Sequence, residues 1–191
     1  MPSRALVLPN ADLVIQANER FDHDERFAAA DRILSRVFSH HPQNDRIDDV
    51  LMKVVLLNGL YNTNVFAVME MAAHIRRLAI DESVSVASTE VVGRIAALTI
   101  RTKTRRHYSF ATKYCSWHRP EEYPIYDSLV ERLLWLYQRQ TSFSDFRRPQ
   151  LQEYEVYKGV ISVFREHFLL QQFTFRQLDK FLWLTSKDLL L

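Results

Sequence analysis

SFATKYCSWHRPEEYPIYDSLVERLL, residues 109–134, consists of two helical patterns joined by a proline-broken link. The first pattern, 109–118, contains no glycine or proline. Pro120 ends it, and Pro124 pushes Tyr123 out of the helical region. Asp127 then stands where a carboxylate suits the positive end of a new helix. Leu129, Val130, Leu133, Leu134 and Tyr137 recur at helical spacing behind it.

The same period runs outward in both directions. Asn10 is placed to cap a short first helix. Asp22 or Asp24 is placed to cap a second, with Ile33, Leu34, Val37 and Phe38 on one face. Asn44 opens a third after Pro42, with Ile47, Val50, Leu51, Val54, Val55 and Leu57 turned inward. Residues 59–62 break the pattern, and a fourth helix is expected over 63–79. A fifth, capped by Ser88 or Thr89, continues through Leu98, and 101–107 reads as a tight connection. Further helices are expected over 149–167 and 174–187. No alternating strand pair, internal repeat or long linker is visible. The expected fold is all-α, with eight or nine helices and antiparallel neighbours across the short links.

Composition agrees with one domain over 1–191, divided into N-terminal helices (1–43), a central region (44–140) and C-terminal helices (141–191). The chain has 191 residues, 47% hydrophobic and 25% charged, the balance of an ordinary globular protein. The longest aliphatic run, 54–57, is far short of the roughly 20 residues that span a bilayer. The first ten residues are too weakly apolar for a secretory signal. A single cysteine, Cys115, cannot form an internal disulfide and fits a reducing cytoplasm. The three glycines form neither GxxxxGK nor GxGxxG, which disfavours the usual nucleotide-binding enzymes.

Charge is concentrated in one place. Residues 91–120 hold Arg94, Arg101, Lys103, Arg105, Arg106, Lys113 and Arg119 and no carboxylate. Such a segment is either a solvated basic stretch or the footprint of a polyanion. Lys113 lies among Phe110, Tyr114 and Trp117, and lysine that loses hydration becomes a better nucleophile. Asp127 follows across a short turn, so the two side chains can share a cleft. An amine and a carboxylate together suit attack at C1′ of a nucleoside, with the carboxylate stabilising oxocarbenium charge. The alternative is a surface lysine and a helix-capping aspartate.

Three stretches resemble the helix-hairpin-helix DNA glycosylases, specifically their bacterial 8-oxoguanine glycosylase-like relatives. The first is 109–134, with Lys113 and Pro124-Ile125-Tyr126-Asp127 matching the family's lysine and Pro-x-x-Asp turn. The second, LLNGLYNTNVFAVMEMAAHI (56–75), looks like the asparagine-bearing turn that enters DNA, with Asn62 and Asn64 as candidates. The third, FTFRQLDKFLWL (173–184), looks like the closing helix. The resemblance implies two helical lobes around a cleft, double-stranded DNA as partner, no cofactor, and a nucleoid-associated location if the protein is bacterial. It implies removal of an oxidised purine such as 8-oxoguanine by base flipping, with Lys113 as Schiff-base nucleophile, Asp127 as its electrostatic partner and optional lyase activity. Tyr108, Phe110, Trp117 and Tyr126 are candidates to stack on the base, or else core residues. The family's hairpin normally carries glycine, whereas 101–113 has none. Arg101, Lys103, Arg105 and Arg106 would hold phosphate by charge instead. A DNA-binding relative without catalysis, and a protein-interaction module with a basic face, are the alternatives.

Cys115 and His118 fall three apart on one helix. A structural zinc site needs four ligands, so no metal is expected. Oligomeric state is not legible in the sequence.

Overall fold

The computed structural model describes residues 6–190. Ten α-helices and one β-hairpin occur among them: α1 (Ala11–His23), α2 (Glu25–His40), α3 (Ile47–Tyr61), α4 (Val68–Leu78), α5 (Asp81–Ser85), α6 (Glu90–Ala96), β1 (Ala97–Ile100), β2 (Lys103–Arg106), α7 (Tyr108–His118), α8 (Ser128–Thr141), α9 (Tyr154–His167) and α10 (Phe175–Leu190). The helical reading holds. The extra helix is α5, too short to show a period, and the stretch before α9 is a separate 3-10 turn, Arg148–Gln152.

Capping explains several boundaries. Asn10 accepts from the Leu13 N–H, Asp24 from the Arg26 N–H, and Asp127 from the Leu129 N–H, each satisfying a donor that the first turn leaves free. Asn44 does not open α3. It is buried, and its side chain is committed to Asp81, Lys53 and Tyr114, so the helix begins at Ile47. Asn62 and Asn64 both take left-handed backbone, with φ 50° and 58°, a conformation that asparagine tolerates better than most residues. The chain therefore turns after α3, and Asn58 holds the turn by accepting from Thr63 Oγ1 and the Val65 N–H. This is why α4 starts at Val68 rather than near Thr63.

The expectation of no strand pair is corrected here. Residues 97–106 form an antiparallel hairpin with Leu98 opposite Arg105 and Ile100 opposite Lys103. Thr99 and Thr104 share a hydroxyl–hydroxyl hydrogen bond of 2.8 Å across it. The turn is made at Arg101 with φ 55°, where hairpins usually use glycine or asparagine. No turn residue advertised it.

Helix α7 is the centre of the molecule. It packs on α2, α3 and α6, and Phe110, Ala111, Tyr114 and Cys115 are fully buried. The buried apolar side chains form one continuous cluster from Val14 to Leu182, so the expected two lobes share a single core. Helix α10 packs on α1 and α8, closing the ends of the chain over the middle. No helix among the described residues is long and apolar enough to cross a membrane.

Candidate active site

Because α7 is buried on nearly every side, a lysine within it must be buried too. Lys113 is 4% exposed. Its Nζ donates to Ser109 Oγ at 2.6 Å and to the Tyr126 carbonyl at 3.1 Å. Asp127 Oδ2 lies 4.0 Å away, while Oδ1 accepts from the Leu129 N–H at 2.9 Å. Asp127 is thus a helix cap and a neighbour of the lysine at once. Desolvation pulls the Lys113 ammonium below its ordinary pKa. Asp127 and Asp179 oppose that pull, and Arg176 adds to it.

Lys113 and Asp127 line the same cleft, of about 260 Å³. Pockets for drug-sized ligands span roughly 300–1,000 Å³, so this space suits something nearer to one base. Its walls come from far along the chain. Phe21 and Phe27 stack with centroids 4.9 Å apart, and Trp183 meets Phe27 edge-on at 5.1 Å. Tyr61 and Asn62 close the side at the end of α3. Asp31, Arg176 and Asp179 supply charge: Arg176 contacts Asp31 at 2.5 Å and Asp179 at 3.3 Å, and donates to Tyr61 Oη at 3.0 Å. Burial pushes the Asp179 carboxyl up to about 6. Asp127 and Asp31 add to the rise, while Arg176 and Lys113 oppose it. The site therefore offers a desolvated amine, an acid beside it, aromatic faces and a second carboxyl that changes protonation near neutral pH.

A second hollow adjoins the first. Asn64, Phe66, Arg105, Arg106, Tyr108, Ser109 and Phe110 line it. Ser109 joins the two hollows, since its hydroxyl accepts from Lys113. Asn62 and Asn64 sit one on each side. Arg101, Lys103 and Arg105 are exposed on the hairpin, but Arg106 is engaged, donating to the Gln152 carbonyl with its guanidinium 4.5 Å from the Tyr108 ring. Phe66 is 80% exposed beside them.

The four aromatics expected around the base do not line the lysine's cleft. Tyr108 is buried with its hydroxyl on the Leu151 carbonyl, and Phe110 is core. Trp117 lines a separate groove with Arg32, Arg36 and His40. Tyr126 is buried, its hydroxyl donating to Glu131, and only its carbonyl reaches Lys113. Tyr108 and Phe110 are spent on the core by helix α7, Trp117 faces the other groove, and Tyr126, beyond α7, is buried on Glu131. Phe21, Phe27 and Trp183 were not legible as pocket residues, because nothing local marks them. Arg176, Asp179 and Trp183 do fall within the closing-helix stretch 173–184. Cys115 and His118 stay apart from this chemistry. Burial raises the thiol and holds the imidazole down at about 3, with Lys53 helping and Asp81 opposing. No cluster of three or more metal-ligating side chains occurs among the described residues.

The model of the HI_0787_N family, described as an N-terminal domain, matches residues 13–122. The chain belongs to the HI_0787_N family. An uncharacterized protein of Haemophilus influenzae is 38% identical over 144 residues, covering 75% of this chain and 69% of that protein. No solved structure matches. The HI_0787_N segment contains Phe21, Phe27, Tyr61 and Lys113. Asp127, Arg176, Asp179 and Trp183 lie beyond it, so the cleft combines the family segment with the part of the chain that follows.

Proposed function

We propose that this protein is a DNA N-glycosylase with lyase activity, removing an oxidised purine such as 8-oxoguanine from double-stranded DNA. The observation that carries the reading is the convergence of the Lys113 amine and the Asp127 carboxylate on one aromatic-walled cleft of single-base size. An extruded base would stack on one of the two perpendicular rings, Phe27 or Trp183, and meet the other at its edge, with the Asp179 carboxyl within the cleft to hydrogen-bond the edge of the base. The neutral Lys113 amine attacks C1′ as the N-glycosidic bond breaks, and the electron pair leaves with the base, which takes up a proton. Asp127 stabilises positive charge on the sugar as it develops. The attached amine loses a proton, and its lone pair then opens the sugar ring to a Schiff base, O4′ being protonated. Arg101, Lys103 and Arg105, exposed on the hairpin, supply phosphate contacts. We take the hollow lined by Asn64 and Phe66 as a path for the strand flanking the lesion.

Borohydride trapping on a duplex containing 8-oxoguanine tests this directly. A covalent adduct is expected with the wild-type protein and none with Lys113→Gln. An adduct that survives Lys113→Gln, or no adduct on any oxidised-purine duplex, rejects the mechanism. Salt-sensitive DNA binding without trapping would favour the reading as a non-catalytic DNA-binding relative. The glycine-free hairpin, folded as a β-ribbon, is the observation on that side.

A further inference from the structure

Lys113 has an unusually complete set of neighbours. Ser109 precedes it by one helical turn on α7, so the two side chains lie on the same face. The Ser109 hydroxyl donates to the Tyr126 carbonyl at 3.2 Å. With its hydrogen so committed, the Ser109 oxygen presents lone pairs to Lys113 Nζ at 2.6 Å. The Tyr126 carbonyl accepts from the same Nζ at 3.1 Å. Two acceptors, held by each other, therefore fix two of the directions around this nitrogen.

We propose that Ser109 is a positioning residue which, with the Tyr126 carbonyl, aims the lone pair of the Lys113 amine into the cleft. The inference rests on the glycosylase reading and deepens it. A neutral amine has two N–H groups and one lone pair. When both N–H groups stay on Ser109 and Tyr126, the lone pair occupies what remains of the tetrahedron. Outside those two bonds stand Asp127 Oδ2, 4.0 Å away, and the cleft that Lys113 and Asp127 both line. In the ammonium form the third N–H points there, so the proton lost on activation is the one nearest Asp127. Deprotonation then needs no rotation of the side chain. The other groups acting on Nζ are Asp179 and Arg176 from α10 and the Tyr61 ring from α3, whose centroid is 5.4 Å away. None of them donates to or accepts from Nζ.

The variants Ser109→Ala and Ser109→Thr separate orientation from mere charge tuning. The measurement is the single-turnover trapping rate from pH 6 to 10, with DNA affinity measured in parallel. Loss of orientation lowers the plateau at high pH, where the amine is neutral in every variant, by roughly 10- to 100-fold. Affinity is expected to be unchanged, and Ser109→Thr to restore most of the rate. An Ala variant that reaches the wild-type plateau overturns the proposal, as does a curve that only slides along the pH axis. A second measurement needs no DNA: the ¹⁵N resonance of Lys113 Nζ, whose N–H exchange with water should speed up at least tenfold in Ser109→Ala and stay slow in Ser109→Thr. Unchanged exchange refutes the cradle even if the wild type traps DNA. Accelerated exchange with no trapping by the wild type upholds the cradle and removes the glycosylase reading.

Discussion

Asp179→Asn should make the folded protein more stable at pH 8 while impairing the cleft. In the fold the Asp179 carboxyl is raised to about 6 from an ordinary 3.8, chiefly by burial. At 1.36 kcal/mol for each pH unit, that difference corresponds to ~3 kcal/mol. The sign follows from linkage. A carboxyl whose folded pKa exceeds its unfolded value binds its proton more tightly in the folded state. Its favourable contribution is complete below about 3.8 and disappears as pH rises through about 6. Above that, the folded state carries an ionised carboxylate that would be better placed in water. Asparagine has the shape of the protonated acid and cannot ionise, so it removes the penalty. Arg176 keeps its contact with Asp31. Urea denaturation at pH 4, 6 and 8 measures the effect. The expected gain for Asp179→Asn is ~3 kcal/mol at pH 8, about nine-tenths of that at pH 6 and only about a fifth of it at pH 4, because the difference builds up between the unfolded and folded pKa values. Greater stability together with slower base release would mark a residue kept for function at the expense of the fold. A variant that is less stable than wild type at pH 8, or whose difference does not vary with pH, refutes the reasoning.

Replacing both Lys103 and Arg105 by alanine removes two exposed cations, and the slope of log affinity against log salt for duplex DNA should become shallower by about 1.8; an unchanged slope would mean that the hairpin does not meet the backbone. Arg106→Ala should behave differently, lowering the melting temperature more than Arg105→Ala does, because Arg106 ties the hairpin to Gln152 and lies over Tyr108. Lys53→Met leaves the His41 and Gln43 carbonyls without the Lys53 donor, at about 1–3 kcal/mol for each orphaned acceptor, offset in part by release of a buried charge, while Asn44 Oδ1 keeps the Tyr114 hydroxyl. A net loss of ~3 kcal/mol is expected by urea denaturation, and an unmoved midpoint would show that Lys53 is not a clamp.

The helical content was legible because α1, α2, α8 and α10 each repeat apolar residues at helical spacing and three carry capping side chains that the structure uses. Lys113 and Asp127 were legible as a pair because only thirteen residues, including a proline-broken link, lie between them. The hairpin was not, because Arg101 occupies the position where glycine would have announced a turn, and its strands are only four residues each. Asn44 looked like a helix start, yet burial gave it better partners than a free N–H. The aromatics of 108–126 looked like stacking groups from their nearness to Lys113. The helix that brings the lysine to the cleft turns Tyr108 and Phe110 toward the core and Trp117 toward another groove, while Tyr126, past its end, is buried elsewhere.

Local pattern by itself therefore determined the helices, the basic segment and the candidate amine and acid, since periodicity and short links act over a few turns of chain. Only the tertiary structure decided what surrounds them. The meeting of Phe21, Phe27, Tyr61, Arg176, Asp179 and Trp183 depends on α10 packing back across α1. Burial by distant segments, rather than any neighbour in sequence, sets the dielectric around Lys113 and Asp179 and hence which protons they hold.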